Sequence, residues 1–193
     1  HQLASLTEAD KNKYLFAMAD AIDANSDAII SENAKDIANG NKMGLSKALL
    51  DRLLLDNDRI TSMSSGLREV ANLSDPVGRV LEERKRPNGL QLTKISAPIG
   101  VIVIIYESRP NVTADAASLC FKSGNATILR GGKEAINSNR IIAEIMVNAA
   151  KEISLDFPVD AIQVVPTTNR AAIPELLSKI DHVDLCIPRG GEN

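Results

Sequence analysis

A β-branched apolar run at residues 99–106 divides the sequence into two parts with different hydrophobic spacing. Before the run, apolar residues recur at helical intervals, whereas after it short apolar segments alternate with longer amphipathic ones. Runs of this kind are typical of strands that are buried on both faces of a parallel sheet. The alternation that follows therefore predicts a doubly wound α/β sheet with helical crossover connections.

The predicted sheet has four strands joined by three helices. The strands are placed at residues 99–106, 126–129, 162–165 and 183–187, and the helices at residues 112–122, 134–151 and 171–179. The part before residue 79 is predicted to be helical, and nothing in its apolar stripes suggests chemistry.

Local signals mark where the N-terminal helices begin and end. Thr7 and Asp10 have the spacing of a capping box. We expect Gly40 and Gly44 to end the second helix, and Asp56 to begin a later one.

Residues 79–96 predict a β-hairpin between the two parts. Pro87-Asn88-Gly89 separates two nearly alternating arms, and Asn-Gly in that setting favours a type I′ turn with two positive φ angles. The basic residues 84–86 fit either an anion site or charges that protect a strand edge from aggregation. The chain thus divides into a helical part (1–78), the hairpin (79–96) and a Rossmann-like part (97–193).

Charge and composition exclude several classes of protein. Twenty-two Lys and Arg face 25 Asp and Glu, and 3% of residues are aromatic, whereas nucleic-acid binders need clustered cations or stacking aromatics. The longest apolar run, residues 97–106, is about half of what a membrane-spanning helix needs. We therefore expect a soluble, cytoplasmic protein that binds neither nucleic acid nor membrane. Cys120 and Cys186 share no metal-site spacing, so we expect reduced thiols and no metal.

The segments that follow the predicted strands would meet at one edge of the sheet, where doubly wound folds bind ligands. They are residues 107–111, 130–133, 166–170 and 188–191. Each contains Arg or Lys, and two contain paired glycines. Cations beside bare backbone suit a phosphate-rich anion.

These segments also have a purely structural interpretation. The paired glycines would then form tight turns, and Arg109 and Arg189 would pair with acidic neighbours. The candidate partners are Asp115, Asp181 and Asp184. The motif G-x-G-x-x-G is absent from the sequence, so an ordinary Rossmann pyrophosphate loop is not expected.

Three motifs carry a resemblance to a known family. YESRPN (106–111), ILRGGKEA (128–135) and IPRGG (187–191) closely resemble γ-glutamyl phosphate reductase, also called glutamate-5-semialdehyde dehydrogenase, of the aldehyde dehydrogenase superfamily. The resemblance covers essentially the whole chain and implies an aldehyde-dehydrogenase-like fold. It implies NADPH-dependent reduction of γ-glutamyl phosphate in proline biosynthesis, through a cysteine thioester. It also implies a homo-oligomer assembled through the hairpin, with substrate channelled from glutamate kinase.

The resemblance assigns roles to residues at the sheet edge. Arg130 and Lys133 would favour the 2′-phosphate of NADPH, and Asn111 would stabilise the oxyanion. The other residues that it places at the cofactor are Tyr106, Glu107, Ser108, Arg109, Gly131, Gly132, Pro188, Arg189, Gly190 and Gly191.

The family's nucleophilic cysteine lies in a catalytic domain well downstream of the IPRGG motif, which the resemblance places outside this chain. Cys120 is predicted inside a helix and Cys186 inside an apolar strand, where burial raises a thiol pKa. We therefore expect the chain alone to bind cofactor weakly and not to turn over. The competing hypotheses are a non-catalytic nucleotide-binding or assembly module and a general phosphate binder.

Overall fold

Four helices form the N-terminal part of the structure, a computed structural model that describes residues 2–189. A 3-10 turn (Gln2–Ser5) precedes α1 (Glu8–Ala24), α2 (Ser26–Lys42), α3 (Lys47–Leu53) and α4 (Asn57–Asn72). The predicted capping box begins α1, because Thr7 Oγ1 accepts from the Asp10 N–H and Asp10 Oδ2 accepts from the Thr7 N–H, both at 3.2 Å. Asp56 caps α4 by accepting from the Arg59 N–H at 2.9 Å. Both local predictions are confirmed.

Gly40 lies inside α2 instead of ending it. A Cβ atom at this position would lie 3.0 Å from Leu45 Cδ1 and 3.0 Å from Leu50 Cδ2, so glycine allows the next segment to approach α2 closely. Gly44 follows the helix with φ +70°, a left-handed conformation that favours glycine. The expectation that Gly40 terminates the helix is wrong, because that glycine serves packing.

The predicted hairpin is present, but its turn differs from the prediction. Its strands are β1 (Val80–Lys85) and β2 (Gln91–Ile95), which pair in antiparallel register. The Arg86 N–H donates to the Leu90 carbonyl at 2.8 Å, and the Gly89 N–H donates to the Arg86 carbonyl at 2.9 Å. Gly89 has φ +88°, whereas Asn88 has no positive φ. The connection is thus a three-residue loop with one left-handed glycine, and the type I′ expectation is wrong.

Four parallel strands form the main sheet, in the spatial order β5-β4-β3-β6. They are β3 (Val101–Ile105), β4 (Ala126–Arg130), β5 (Ile162–Val164) and β6 (Leu185–Pro188). The crossovers contain α5 (Asn111–Lys122), α6 (Ile136–Ile153) and α7 (Ala172–Leu177), with 3-10 turns at Lys133–Ala135 and Val159–Ala161. The predicted order of strands and helices is confirmed.

The first strand begins two residues later than predicted because the chain bends at Gly100. Gly100 has φ +131°, and a Cβ atom there would lie 2.1 Å from Asp184 Oδ2. That carboxylate accepts from the Val101 N–H at 2.8 Å. The fourth strand correspondingly begins at Leu185, after Asp184 has made this contact.

One hydrophobic core joins the N-terminal helices to the sheet. Helix α1 packs on α4 and α6, and α4 packs on α5. Tyr14, Phe121 and Phe157 form its aromatic centre, with ring centroids 5.1 to 5.9 Å apart. Lys11 is 1% exposed beside this core and pairs with Asp75 at 2.7 Å. Among residues 2–189, no helix combines the length and hydropathy that crossing a bilayer requires.

Candidate functional site

The strand order reverses between β3 and β6, and doubly wound sheets bind ligands beyond the carboxyl ends of strands at such a point. The Arg189 N–H donates to the Ile105 carbonyl at 2.7 Å, and the Tyr106 N–H donates to the Arg130 carbonyl at 3.0 Å. The structure therefore brings the segments after β3, β4 and β6 to one edge. Gly190 and Gly191, which belong to the last of them, lie outside the described residues.

Glu134 joins the segment after β4 to the segment after β3. Its Oε1 accepts from the Ser108 N–H at 2.9 Å and from Ser108 Oγ at 2.7 Å. Ser108 has φ 36°, the one positive φ among the non-glycine residues from 2 to 189. A Cβ atom at Gly132 would lie 2.0 Å from Glu134 Oε1, so glycine makes room for the carboxylate. The sequence prediction missed Glu134 as a positioning residue.

A buried polar chain runs beneath the same loops. Tyr106 Oη lies 2.7 Å from Thr113 Oγ1, which lies 3.0 Å from Asn139 Oδ1. Burial raises the pKa of Tyr106, since it disfavours the phenolate. A Cβ atom at Gly131 would lie 2.0 Å from Asn139 Nδ2, and neither Gly131 nor Gly132 has a positive φ. The packing contacts therefore support a structural role for this pair, with close packing instead of a tight turn as its reason.

Arg130 and Lys133 occupy different environments. Arg130 is 8% exposed, and its guanidinium donates to the Gly131 carbonyl at 2.6 Å and the Thr168 carbonyl at 3.2 Å. It thereby fixes the segment after β4 to the segment after β5. Arg130 Nε is buried without a hydrogen-bond partner in the described part of the chain. Lys133 is exposed, so it is the accessible cation of the two.

Two clefts at this edge share Arg52 and Arg109. The larger, of about 470 Å³, lies between α3–α4 and the start of α5; the smaller, of about 280 Å³, lies against the carboxyl ends of β3 and β6. The larger cleft is lined by Asp51, Arg52, Leu54, Leu55, Arg59, Ser62, Met63, Arg109, Asn111 and Asp115. The smaller is lined by Leu49, Arg52, Tyr106, Glu107, Ser108, Arg109 and Arg189.

Arg109 and Arg189 line the clefts without the salt bridges that the structural interpretation expected. Within residues 2–189, neither Arg109 nor Arg189 forms a salt bridge. Asp184 instead accepts from the Val101 N–H at the opposite, amino end of the sheet. The expected pairing with Asp115, Asp181 or Asp184 is therefore not found as a direct salt bridge, although Arg189 lies near enough to Asp115 for its charge to offset part of the rise in pKa that burial causes at that carboxyl. The sequence prediction also missed Arg52, because a single arginine on a surface helix carries no signal of its own.

Asn111 lies in the first turn of α5 and contacts a carboxylate. Its Nδ2 donates to Asp115 Oδ2 at 3.0 Å. Burial raises the pKa of Asp115, while the Asn111 hydrogen bond and the nearby Arg189 charge oppose that rise. Asn111 therefore serves at least as a positioning residue for Asp115.

Neither cysteine is prepared to act as a nucleophile. Cys120 is buried in α5, and burial raises its pKa although a hydrogen bond with Thr127 partly offsets the rise. Cys186 lies half-buried in β6, and burial raises its pKa as well. Since the thiolate is the reactive form, both thiols are poor nucleophiles at neutral pH.

Known proteins share both the sequence and this fold. The gamma-glutamyl phosphate reductase of Geotalea daltonii is 50% identical over 191 residues, covering 99% of this chain and 45% of the relative. The crystal structure of gamma-glutamyl phosphate reductase from Thermotoga maritima superposes with a TM-score of 0.94 at 37% identity, over 98% of this chain and 45% of that one. An NAD-dependent benzaldehyde dehydrogenase from Corynebacterium glutamicum gives a TM-score of 0.74 at 16% identity, over 98% of this chain and 38% of that one. No family model matches the chain.

The fold is therefore that of the aldehyde dehydrogenases. Over nearly its whole length the chain is a homologue of the gamma-glutamyl phosphate reductases, which confirms the resemblance carried by the three motifs. The chain spans about 45% of the length of these relatives.

Proposed function

We propose that the full-length protein is a γ-glutamyl phosphate reductase of proline biosynthesis. The reaction converts γ-glutamyl phosphate, NADPH and a proton into glutamate 5-semialdehyde, NADP⁺ and phosphate. The observation that carries this proposal is the 50% identity over 191 residues to a relative of that name. The unpaired arginines at the carboxyl edge of the sheet support it, because substrate and cofactor are both phosphate-bearing anions.

The positive charge at the sheet edge complements the negative phosphates of a nicotinamide dinucleotide. When bound, the nicotinamide supplies the hydride. Arg189 would face its phosphates, and the exposed Lys133 would bind the 2′-phosphate that distinguishes NADPH. Arg130 would act indirectly, since its guanidinium already donates to two carbonyl groups and fixes the loop that carries Lys133.

The covalent step needs a thiolate that this chain does not offer. The raised pKa values of Cys120 and Cys186 oppose that role. We therefore assign the nucleophile to the part of the relatives' sequence that this chain does not cover. Asn111 would donate to the developing oxyanion through its second amide hydrogen, because Asp115 engages only one. On this basis the 193-residue chain alone would not turn over.

The hairpin is assigned to assembly of a homo-oligomer. Every residue of β1 and β2 is exposed, including Leu81 at 57% and Ile95 at 56%, and exposed apolar patches mark interaction sites. Asn88→Pro with Gly89→Val should disrupt the loop, since Val does not tolerate φ +88°. Sedimentation velocity should then show smaller particles than wild type; an unchanged sedimentation coefficient contradicts the assignment.

The test of the activity is an assay of the full-length gene product. We expect loss of NADPH absorbance that requires γ-glutamyl phosphate and releases equimolar phosphate, with the 193-residue chain as an inactive control. NADPH binding without turnover in the full-length protein would favour the non-catalytic module. Equal affinity for NADPH and inorganic phosphate would favour a general phosphate binder.

A further inference from the structure

The larger arginine-lined cleft carries charges of both signs. It lies between the helical layer, α3 and α4, and the first turns of α5, and its volume is about 470 Å³. Pockets for small molecules are commonly about 300–1,000 Å³. The cleft is therefore large enough for a compact metabolite.

Two of its guanidinium groups are available to an anion. Arg59 also lines the cleft, but it donates to Asp51 Oδ1 at 2.9 Å and to the Leu54 carbonyl at 2.9 Å. Arg52 and Arg109, by contrast, have no side-chain hydrogen bond or salt bridge to any residue between 2 and 189. Because the Arg59–Asp51 pair is neutral, Arg52 and Arg109 leave an excess of positive charge on one side of the cleft.

A single carboxylate faces this positive charge from α5. Asp115 is half-buried, and Asn111 holds its Oδ2 at 3.0 Å. Its Oδ1 has no hydrogen-bond donor in the described part of the chain, and the neighbouring residue on α4 is Gly66, which offers no side chain. A partly buried carboxylate with an open oxygen gains from a cation placed beside it.

We infer that this cleft binds the α-amino-acid headgroup of the γ-glutamyl substrate, with the carboxylate on Arg52 and Arg109 and the ammonium on Asp115. The inference rests on the proposed function and names the residues that would read the γ-glutamyl group. A simple anion would be repelled by Asp115, whereas a zwitterion uses both kinds of charge. The smaller cleft shares the same two arginines and lies against the strand ends, so the acyl group would extend from the headgroup toward those strand ends.

The test compares two ligands that differ only in the ammonium group. Calorimetry on the full-length protein measures the dissociation constants of L-glutamate and of glutarate, which lacks the amine. Asp115→Asn should weaken the binding of L-glutamate by about 10-fold or more, as loss of a charge-assisted hydrogen bond does. The affinity for glutarate should stay unchanged or increase. Arg52→Gln should weaken both ligands. Asp58→Asn, the same isosteric change at an exposed position on α4, is the control.

The outcomes separate this inference from the proposed function. Equal weakening of both ligands by Asp115→Asn, or no preference of the wild type for L-glutamate, would overturn the headgroup site even in an active reductase. If the protein discriminates between the two ligands through Asp115 but has no reductase activity, the headgroup site is supported and the proposed function is overturned. A merely structural role of Asp115 would lower the melting temperature without changing the ratio of the two dissociation constants.

Discussion

The strands that lead into the arginine-lined edge differ greatly in how well they are packed: β3 and β4 are buried, whereas β6 is largely exposed. β3 and β4 are covered by a core that includes α1, α4, α5 and α6. Helix α7 buries no residue, and Ile180, Leu185 and Ile187 beside it are 81%, 37% and 43% exposed. Backbone hydrogen bonds thus align β6 with β3 while side-chain burial contributes little. In the 193-residue chain, Arg109 therefore follows a well-packed strand, whereas we expect the strand that carries Arg189 to open at lower free energy.

The largest expected contrast comes from one apolar truncation in each region. Leu67→Ala, at a fully buried position of α4, should lower the free energy of unfolding by about 2–5 kcal/mol, from lost burial and the cavity. Ile187→Ala in β6 should cost less than about 1 kcal/mol, since the side chain is half-exposed. Urea denaturation of the 193-residue chain measures both; equal losses would contradict the comparison.

The second-largest loss of stability is expected from unpairing a buried charge in the packed region. Asp75→Asn would leave the buried Lys11 ammonium without its counter-charge, at a cost of about 1–3 kcal/mol. Burial opposes ionisation of Asp75, but the hydrogen bonds from Lys11 and the Val77 N–H, together with nearby positive charge, hold its pKa below the usual range.

The same pair predicts the direction of the pH dependence. Because the folded pKa of Asp75 is lowered, its contribution is complete above the ordinary pKa of about 3.9 and is lost as pH falls through the lowered value. Unfolding free energies measured from neutral to acidic pH should therefore converge for wild type and Asp75→Asn. A constant gap between the two curves would show that the ion pair is not the cause.

Much of the packed region follows from local sequence, whereas much of the site does not. The capping box at Thr7, the order of strands and helices and the hairpin depend on neighbours in sequence, so they were predicted. Arg130 binds the Thr168 carbonyl 38 residues away, and Ser108 binds Glu134 26 residues away. Hydrophobic periodicity carries no information about contacts between residues so far apart in sequence, which explains why Glu134, Asn139 and Arg52 were missed.

The smallest expected effect concerns the contact that positions the segment after β3. Glu134→Ala removes the Oε1 atom that accepts from both the N–H and the Oγ of Ser108, and the loss should cost about 1 kcal/mol. Hydrogen exchange at the Ser108 amide should become faster than in wild type. Glu144→Ala, at an exposed position of α6, is the control. Unchanged protection of Ser108 in Glu134→Ala would show that another group holds this segment.

We propose above all that the carboxyl edge of the sheet holds the phosphates of NADPH. The most direct measurement is steady-state kinetics of full-length Lys133→Glu, with Lys151→Glu on exposed α6 surface as the matched control. We expect Lys133→Glu to raise the KM for NADPH about 10-fold or more through charge repulsion, with little change in the KM for γ-glutamyl phosphate. Equal increases in both constants, or none beyond that of Lys151→Glu, would contradict it.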